Sequence, residues 1–219
     1  MDTIPQMVID RIHQLDVFIV ERAKTARHYI KSTNPPRAIA ELEVYEMDKH
    51  QPGKDSALFK EALAHGRDIG LLSEAGCPGV ADPGARFVQL AHQMGMEVIP
   101  LVGPSSILLA LMASGMNGQH FCFQGYLSPK KNELAKELKR IEQLSSKFRQ
   151  TQIFIETPYR NQNLIEQALK ALSPKTRFCI AADITLPNQY ILTKRIEEWR
   201  KISIPNLHKK PAIFLLHAH

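Results

Sequence analysis

Hydrophobic positions in this chain follow two rhythms. Short, wholly apolar runs at 17–20, 69–72 and 98–102 have the length of buried strands. Further runs at 42–45, 121–126, 151–155, 177–182, 189–193 and 211–217 also read as strands. Between them, apolar residues recur at helical spacing. Ile4, Val8, Ile12 and Leu15 predict a first helix, with Asp2 or Thr3 as its cap. A second helix begins in 21–27, and a third runs from a cap at Asp55 or Ser56 to His65. Helices are also expected at 85–94, stopped by Gly95, and at 107–114, which is nearly all apolar and so buried. Residues 132–150, 161–172 and 197–200 complete the set. Strands alternating with helices predict an α/β protein. The spacing gives two domains, 1–115 and 116–219, with 127–131 as the connection near the boundary.

The stretch 71–106 organises the rest. Two apolar runs, 69–72 and 98–102, end in turns rich in Gly and Pro, and a helix follows each. Small-molecule sites form in this way at the carboxyl ends of parallel strands. In the first turn, Gly76, Gly79 and Gly84 permit close backbone approach, while Pro78 and Pro83 fix the chain. Asp82 precedes Pro83-Gly84-Ala85, the pattern of a helix cap. Its carboxylate can cap a helix, bind a ligand hydroxyl, or do both. In the second turn, Pro104-Ser105-Ser106 opens the apolar helix, whose free amides face a cleft. Each turn alone reads more readily as ordinary strand-to-helix chemistry.

Together, in this order and spacing, the two turns resemble the S-adenosylmethionine-dependent tetrapyrrole methylase family. They are most similar to its branch of small-subunit ribosomal RNA 2'-O-methyltransferases. The blocks Ile153-Phe154-Ile155-Glu156-Thr157-Pro158-Tyr159-Arg160 and Ala181-Ala182-Asp183-Ile184-Thr185 support the resemblance. It implies two α/β domains with the cofactor cleft between them. It also implies S-adenosylmethionine bound by Asp82, Ala85, Ser106, Ile107, Ala182 and Ala212, with no metal. Members of the family are usually homodimers.

Charge bears on the partner. The net charge is +6, unevenly spread. Residues 1–125 hold 11 Lys/Arg against 14 Asp/Glu; residues 126–219 hold 17 against 8. A basic second half suits RNA phosphates, and equally a solvated surface. The helix 132–150, with Lys136, Lys139, Arg140, Lys147 and Arg149, is a candidate RNA edge or a solvated face. No apolar run approaches the roughly 18 residues of a membrane span, and no signal pattern opens the chain. Cys77, Cys122 and Cys179 are too far apart for a Cys-x-x-Cys pair, which fits a reducing cytoplasm. His217 and His219 complete no metal-ligand pattern. Walker A, Gly-x-Gly-x-x-Gly and His-Glu-x-x-His patterns are absent.

The resemblance extends to catalytic candidates. The ribosomal branch carries an acidic-then-basic motif after the strand at 17–20. Here Glu21 and Arg27 match, Lys24 matches in charge, and Arg22 stands where an Asp is expected. The branch also carries a His near His50 and a His before Arg160, where this chain has Tyr159. A phenol donates a hydrogen bond but is a poor base near neutral pH. Glu21, Glu156 and His50 are the candidates to accept a ribose hydroxyl proton; Lys24, Arg27 and Arg160 are those to hold phosphate. Family members place an apolar strand and a Gly-containing turn ahead of the first helix, and none precedes it here. A shortened or misassigned start is the expected explanation. Two other readings stay open: a methyltransferase for a tetrapyrrole such as a cobalamin precursor, and a non-catalytic RNA-binding protein on the same fold.

Overall fold

A computed structural model describes residues 3–47 and 52–218, with the side chains of 52–55 left aside. The chain forms two compact units, Met1–Ser105 and Ser106–His219.

The first unit is built on β1 (Val17–Val20), whose four residues are all buried. Parallel strands flank it on both sides: β2 (Glu43–Glu46) and β3 (Ile69–Leu72), in the order β2-β1-β3. A parallel strand covered on both faces reads as a continuous apolar run, which is why 17–20 is legible in the sequence. Phe18 and Val20 pack with Ile12 and Leu15 of the α1 (Gln6–Gln14) segment and with Ile30 of α2 (Ala23–Ser32). Ile19 faces the other way, to Phe59 of α3 (Pro52–Ala64) and Phe87 and Ala91 of α4 (Ala85–Gln93). Gly70 of β3 is required for this packing, because a Cβ there would lie 2.7 Å from the Phe18 ring.

Several local expectations change. Pro5 is the residue ahead of α1, and no side chain caps that helix, so Thr3 does not serve as its cap. Asp2 lies outside the described residues. The third helix starts at Pro52, ahead of Asp55 and Ser56. The apolar run 98–102 forms no strand; Ile99, Leu101 and Val102 are 58%, 39% and 67% exposed. An apolar run becomes a strand only when a ladder partner takes its amides and carbonyls. Among the described residues β3 pairs on one side only, with β1.

The second unit carries the mixed sheet β4-β5-β8-β6-β7: β4 (Phe121–Tyr126), β5 (Thr151–Ile155), β6 (Arg177–Ala182), β7 (Tyr190–Arg195) and β8 (Ala212–His217). β4 and β5 are parallel, while β8 is antiparallel to both β5 and β6. One face is covered by α5 (Ser106–Ser114), with Ala110 and Leu111 against Ile153, Cys179, Ala181, Ile213 and Leu215. The other face is covered by α6 (Lys131–Phe148), α7 (Asn161–Ala171) and α8 (Ile196–Trp199). Leu134, Leu138, Ile141 and Ser145 form the buried stripe of α6, so its basic residues Lys136, Lys139, Arg140 and Lys147 are left exposed. Phe154, Phe178 and Phe214 stack across three neighbouring strands at centroid distances of 6.0–6.5 Å. Trp199 donates its indole N–H to the Phe178 carbonyl at 2.8 Å. The units divide at Ser105/Ser106, whereas the chain pattern puts the boundary near 116. The helix between these points packs on the second sheet.

Candidate active-site residues

In the first unit, Glu21 ends β1 and meets the turn after β3. Its Oε1 accepts from Ser73 Oγ at 3.1 Å and from the Glu74 amide at 2.9 Å. Neighbouring parallel strands end side by side, so residues 52 positions apart converge at one sheet edge. Arg22, in the place of the expected Asp, is exposed and lies 3.8 Å from Glu74. Lys24 and Arg27 are exposed on α2. The α2 N-terminus is satisfied from β2, where Glu46 accepts the Ala23 amide at 2.9 Å. His50 lies outside the described residues.

Asp82 closes the first Gly/Pro turn and does not cap α4. Its Oδ1 accepts the amides of Gly79 at 2.6 Å and Gly84 at 2.8 Å. Gly84 is the residue ahead of α4, and no side chain caps that helix. Gly79 has φ +79°, a conformation glycine takes without strain. The turn is tight: a Cβ on Gly84 would lie 3.0 Å from Asp82 Oδ1 and 3.1 Å from the Gly79 nitrogen. Asp82 Oδ2 is buried without a hydrogen-bond partner among the described residues. A shielded carboxylate oxygen lacking a donor suits a ligand hydroxyl or ammonium group. Ala85 is exposed at the start of α4. The two Gly/Pro turns touch, with Cys77 Sγ 3.8 Å from the Pro104 carbonyl.

In the second unit, Glu156 follows β5 and is 5% exposed. Its Oε1 accepts three hydrogen bonds: the Thr157 amide at 2.6 Å, Arg160 Nε at 3.0 Å and Arg160 Nη2 at 2.6 Å. A buried carboxylate engaged in this way fixes a guanidinium, and the charge-assisted bonds give it direction. Ala182 and Ala212 face each other in register at the ends of β6 and β8. The adjoining Asp183 amide donates to the Pro211 carbonyl at 3.1 Å. Ser106 is exposed in the first turn of α5, and Ile107 is half-buried against the cluster containing Ala181 and Ile213.

Two features escaped pattern reading. One is the Ser73–Glu74 contact with Glu21, which has no local signature. The other is the 206–210 turn, bound to the 157–160 turn by Asn161. The Asn161 Nδ2 donates to the carbonyls of Leu207 at 3.1 Å and Lys210 at 2.8 Å. Its signal in the sequence is the basic run His208-Lys209-Lys210 directly before Pro211 and the last strand. Among the described residues no cluster of three His, Cys, Asp or Glu could hold a metal, and no helix is long and apolar enough to cross a membrane.

Known proteins resemble this chain in sequence and in fold. The ribosomal RNA small subunit methyltransferase I of Bacillus subtilis (strain 168) is 35% identical over 163 residues, covering 74% of this chain and 51% of the relative. The chain thus spans about half the length of that curated relative. The crystal structure of the methyltransferase CobJ superposes with a TM-score of 0.63 at 18% identity, covering 99% of this chain and 89% of that one. The uroporphyrin-III C-methyl transferase from Thermus thermophilus, complexed with S-adenyl homocysteine, gives a TM-score of 0.54 at 17% identity, covering 99% and 91%. The profile of the Tetrapyrrole (Corrin/Porphyrin) Methylases matches residues 1–199, and the chain belongs to that family.

Proposed function

We propose that this chain is the cofactor-binding and catalytic part of an S-adenosylmethionine-dependent methyltransferase that modifies a ribose 2'-hydroxyl of ribosomal RNA. The observation that carries this reading is the 35% identity to the Bacillus subtilis ribosomal RNA enzyme. The uroporphyrin-III C-methyl transferase above shares only 17% identity with this chain. The excess of Lys and Arg after residue 125 supports RNA over a porphyrin-like substrate.

S-adenosylmethionine supplies a methyl group on a sulfonium, a good leaving group, so the protein mainly positions and shields. The unpaired Asp82 Oδ2 fits a hydroxyl or ammonium of such a cofactor. In the first unit Asp82 and Ala85 are the residues that would hold it. In the second they are Ser106, Ile107 and the backbones of Ala182 and Ala212.

Glu21 is our candidate to accept the ribose proton as its oxygen attacks, since its hydrogen bonds to described residues fall on Oε1 alone. Glu156 acts by holding Arg160, whose guanidinium would hold phosphate in the second unit; in the first unit Lys24 and Arg27 are the candidates for that role. We also place the protein in the cytoplasm as a homodimer. Three free cysteines and no disulfide among the described residues support the compartment.

The test is calorimetric titration of S-adenosylmethionine into the chain, followed by transfer of labelled methyl to small-subunit ribosomal RNA. Saturable binding with label recovered on a ribose is expected. Binding with label on a tetrapyrrole alone would move the substrate; no binding would overturn the reading.

A further inference from the structure

We propose that Tyr159, His208 and Lys209 form a nucleotide platform, on which an unpaired RNA base stacks against the Tyr159 ring while Lys209 holds a phosphate. This rests on RNA being the substrate and adds a binding site to that reading.

Tyr159 is 69% exposed although it adjoins the buried Glu156–Arg160 pair. Among the described residues most of its side chain is left open. His208 meets it edge-on, with centroids 5.7 Å apart, and the Lys209 ammonium lies 6.0 Å from the ring centroid. An exposed aromatic ring with a lysine ammonium beside it is how proteins grip single-stranded nucleic acid without reading its sequence.

The platform is built in advance. The Lys209 amide donates to the Pro158 carbonyl at 3.1 Å, and the His208 amide to Asn206 Oδ1 at 3.0 Å. Asn161, fully buried, holds the same turn through Leu207 and Lys210. Lys209 has φ +61°, a left-handed conformation that is costly for any residue but glycine. From this turn the Lys209 side chain reaches the tyrosine ring.

The charge is one-sided. Both carboxylates beneath the platform are buried and engaged: Glu156 with Arg160, and Asp183 with Lys210 at 3.0 Å. Their side chains are 1% and 6% exposed, whereas those of Arg160 and Lys210 are 37% and 34% exposed. Cations therefore face solvent and carboxylates face the sheet. This arrangement favours a polyanion carrying aromatic bases over an acidic peptide, for which the ring would be idle.

The experiment measures anisotropy of a fluorescent, short, single-stranded oligoribonucleotide bound to the parent chain and to variants, at several salt concentrations. Tyr159→Ala is expected to weaken binding about 5- to 100-fold, and Tyr159→Phe to stay within about twofold of the parent. Lys209→Ala is expected to weaken binding and to reduce the salt slope by about one. An abasic backbone of equal length is expected to bind parent and Tyr159→Ala alike. Thermal melting of each variant separates loss of binding from loss of fold.

Parent-like RNA affinity in folded Tyr159→Ala and Lys209→Ala would overturn the platform; if S-adenosylmethionine still binds, the methyltransferase reading survives. Absence of cofactor binding, with RNA affinity still sensitive to Tyr159→Ala, would do the reverse. No RNA binding by the parent would overturn the platform and the choice of substrate together.

Discussion

The Glu21 carboxylate, at the end of β1, accepts the backbone amide of Glu74, beyond β3, at 2.9 Å. The same oxygen takes the Ser73 hydroxyl, so one side chain ties two parallel-strand ends together. Positioning and chemistry separate by substitution. Glu21→Gln keeps an acceptor oxygen for both donors, so the thermal midpoint is expected to change little. Methyl transfer is expected to fall about 100-fold or more if this carboxylate takes the proton. Glu21→Ala removes the acceptor as well and is expected to cost about 1–2 kcal/mol in denaturant unfolding. Equal transfer by Glu21→Gln and the parent would remove Glu21 as the base.

Asp82 offers a second separation. Asp82→Ala leaves the Gly79 and Gly84 amides without their acceptor, a loss of about 1–3 kcal/mol. Asp82→Asn retains an oxygen for those amides and gives up the charge. It is expected to stay near parental stability while cofactor affinity in calorimetry drops about tenfold. Gly84→Ala meets three atoms at 3.0–3.1 Å and is expected to disturb both the fold and binding.

The Glu156–Arg160 pair is expected to be strongly non-additive. Arg160→Ala leaves the buried carboxylate with the backbone amide of Thr157 as its one remaining donor among the described residues, and is expected to cost about 1–3 kcal/mol. Arg160→Ala combined with Glu156→Gln is expected to be less destabilising than the sum of the single changes, as a double-mutant cycle by urea melts would read. Additivity would mean that the pair does not hold the guanidinium.

Burial pushes the Cys179 thiol up to about 11, with a hydrogen bond to Thr193 opposing the shift. The unfolded chain gives up this proton first as pH rises. The contribution is therefore complete below the thiol's ordinary range near 9 and is lost as pH climbs towards about 11. Cys179→Ala is expected to flatten the stability loss between pH 8 and pH 10.5 by up to about 2 kcal/mol. Maleimide at neutral pH is expected to label the half-buried Cys77 and Cys122 and to leave Cys179 unlabelled until unfolding. Labelling of native Cys179 would contradict its burial.

What the sequence by itself determined is whatever depends on local periodicity. Strands at 17–20, 69–72, 121–126, 151–155 and 177–182 begin and end where the sequence runs do, because each run is bounded by its own turn-forming neighbours. Tertiary structure decided what depends on a partner distant in the chain. The run 98–102 has the composition of a strand but no ladder to join among the described residues. Asp82 has the sequence position of a helix cap, yet its oxygen goes to the turn amides. Tyr159 and Lys209 meet only because β5 and β8 lie side by side in the sheet. Side-chain spacing along one element follows from helix and strand geometry, whereas a hydrogen bond or ring contact between elements requires the chain to have returned, and only the packed sheet specifies where.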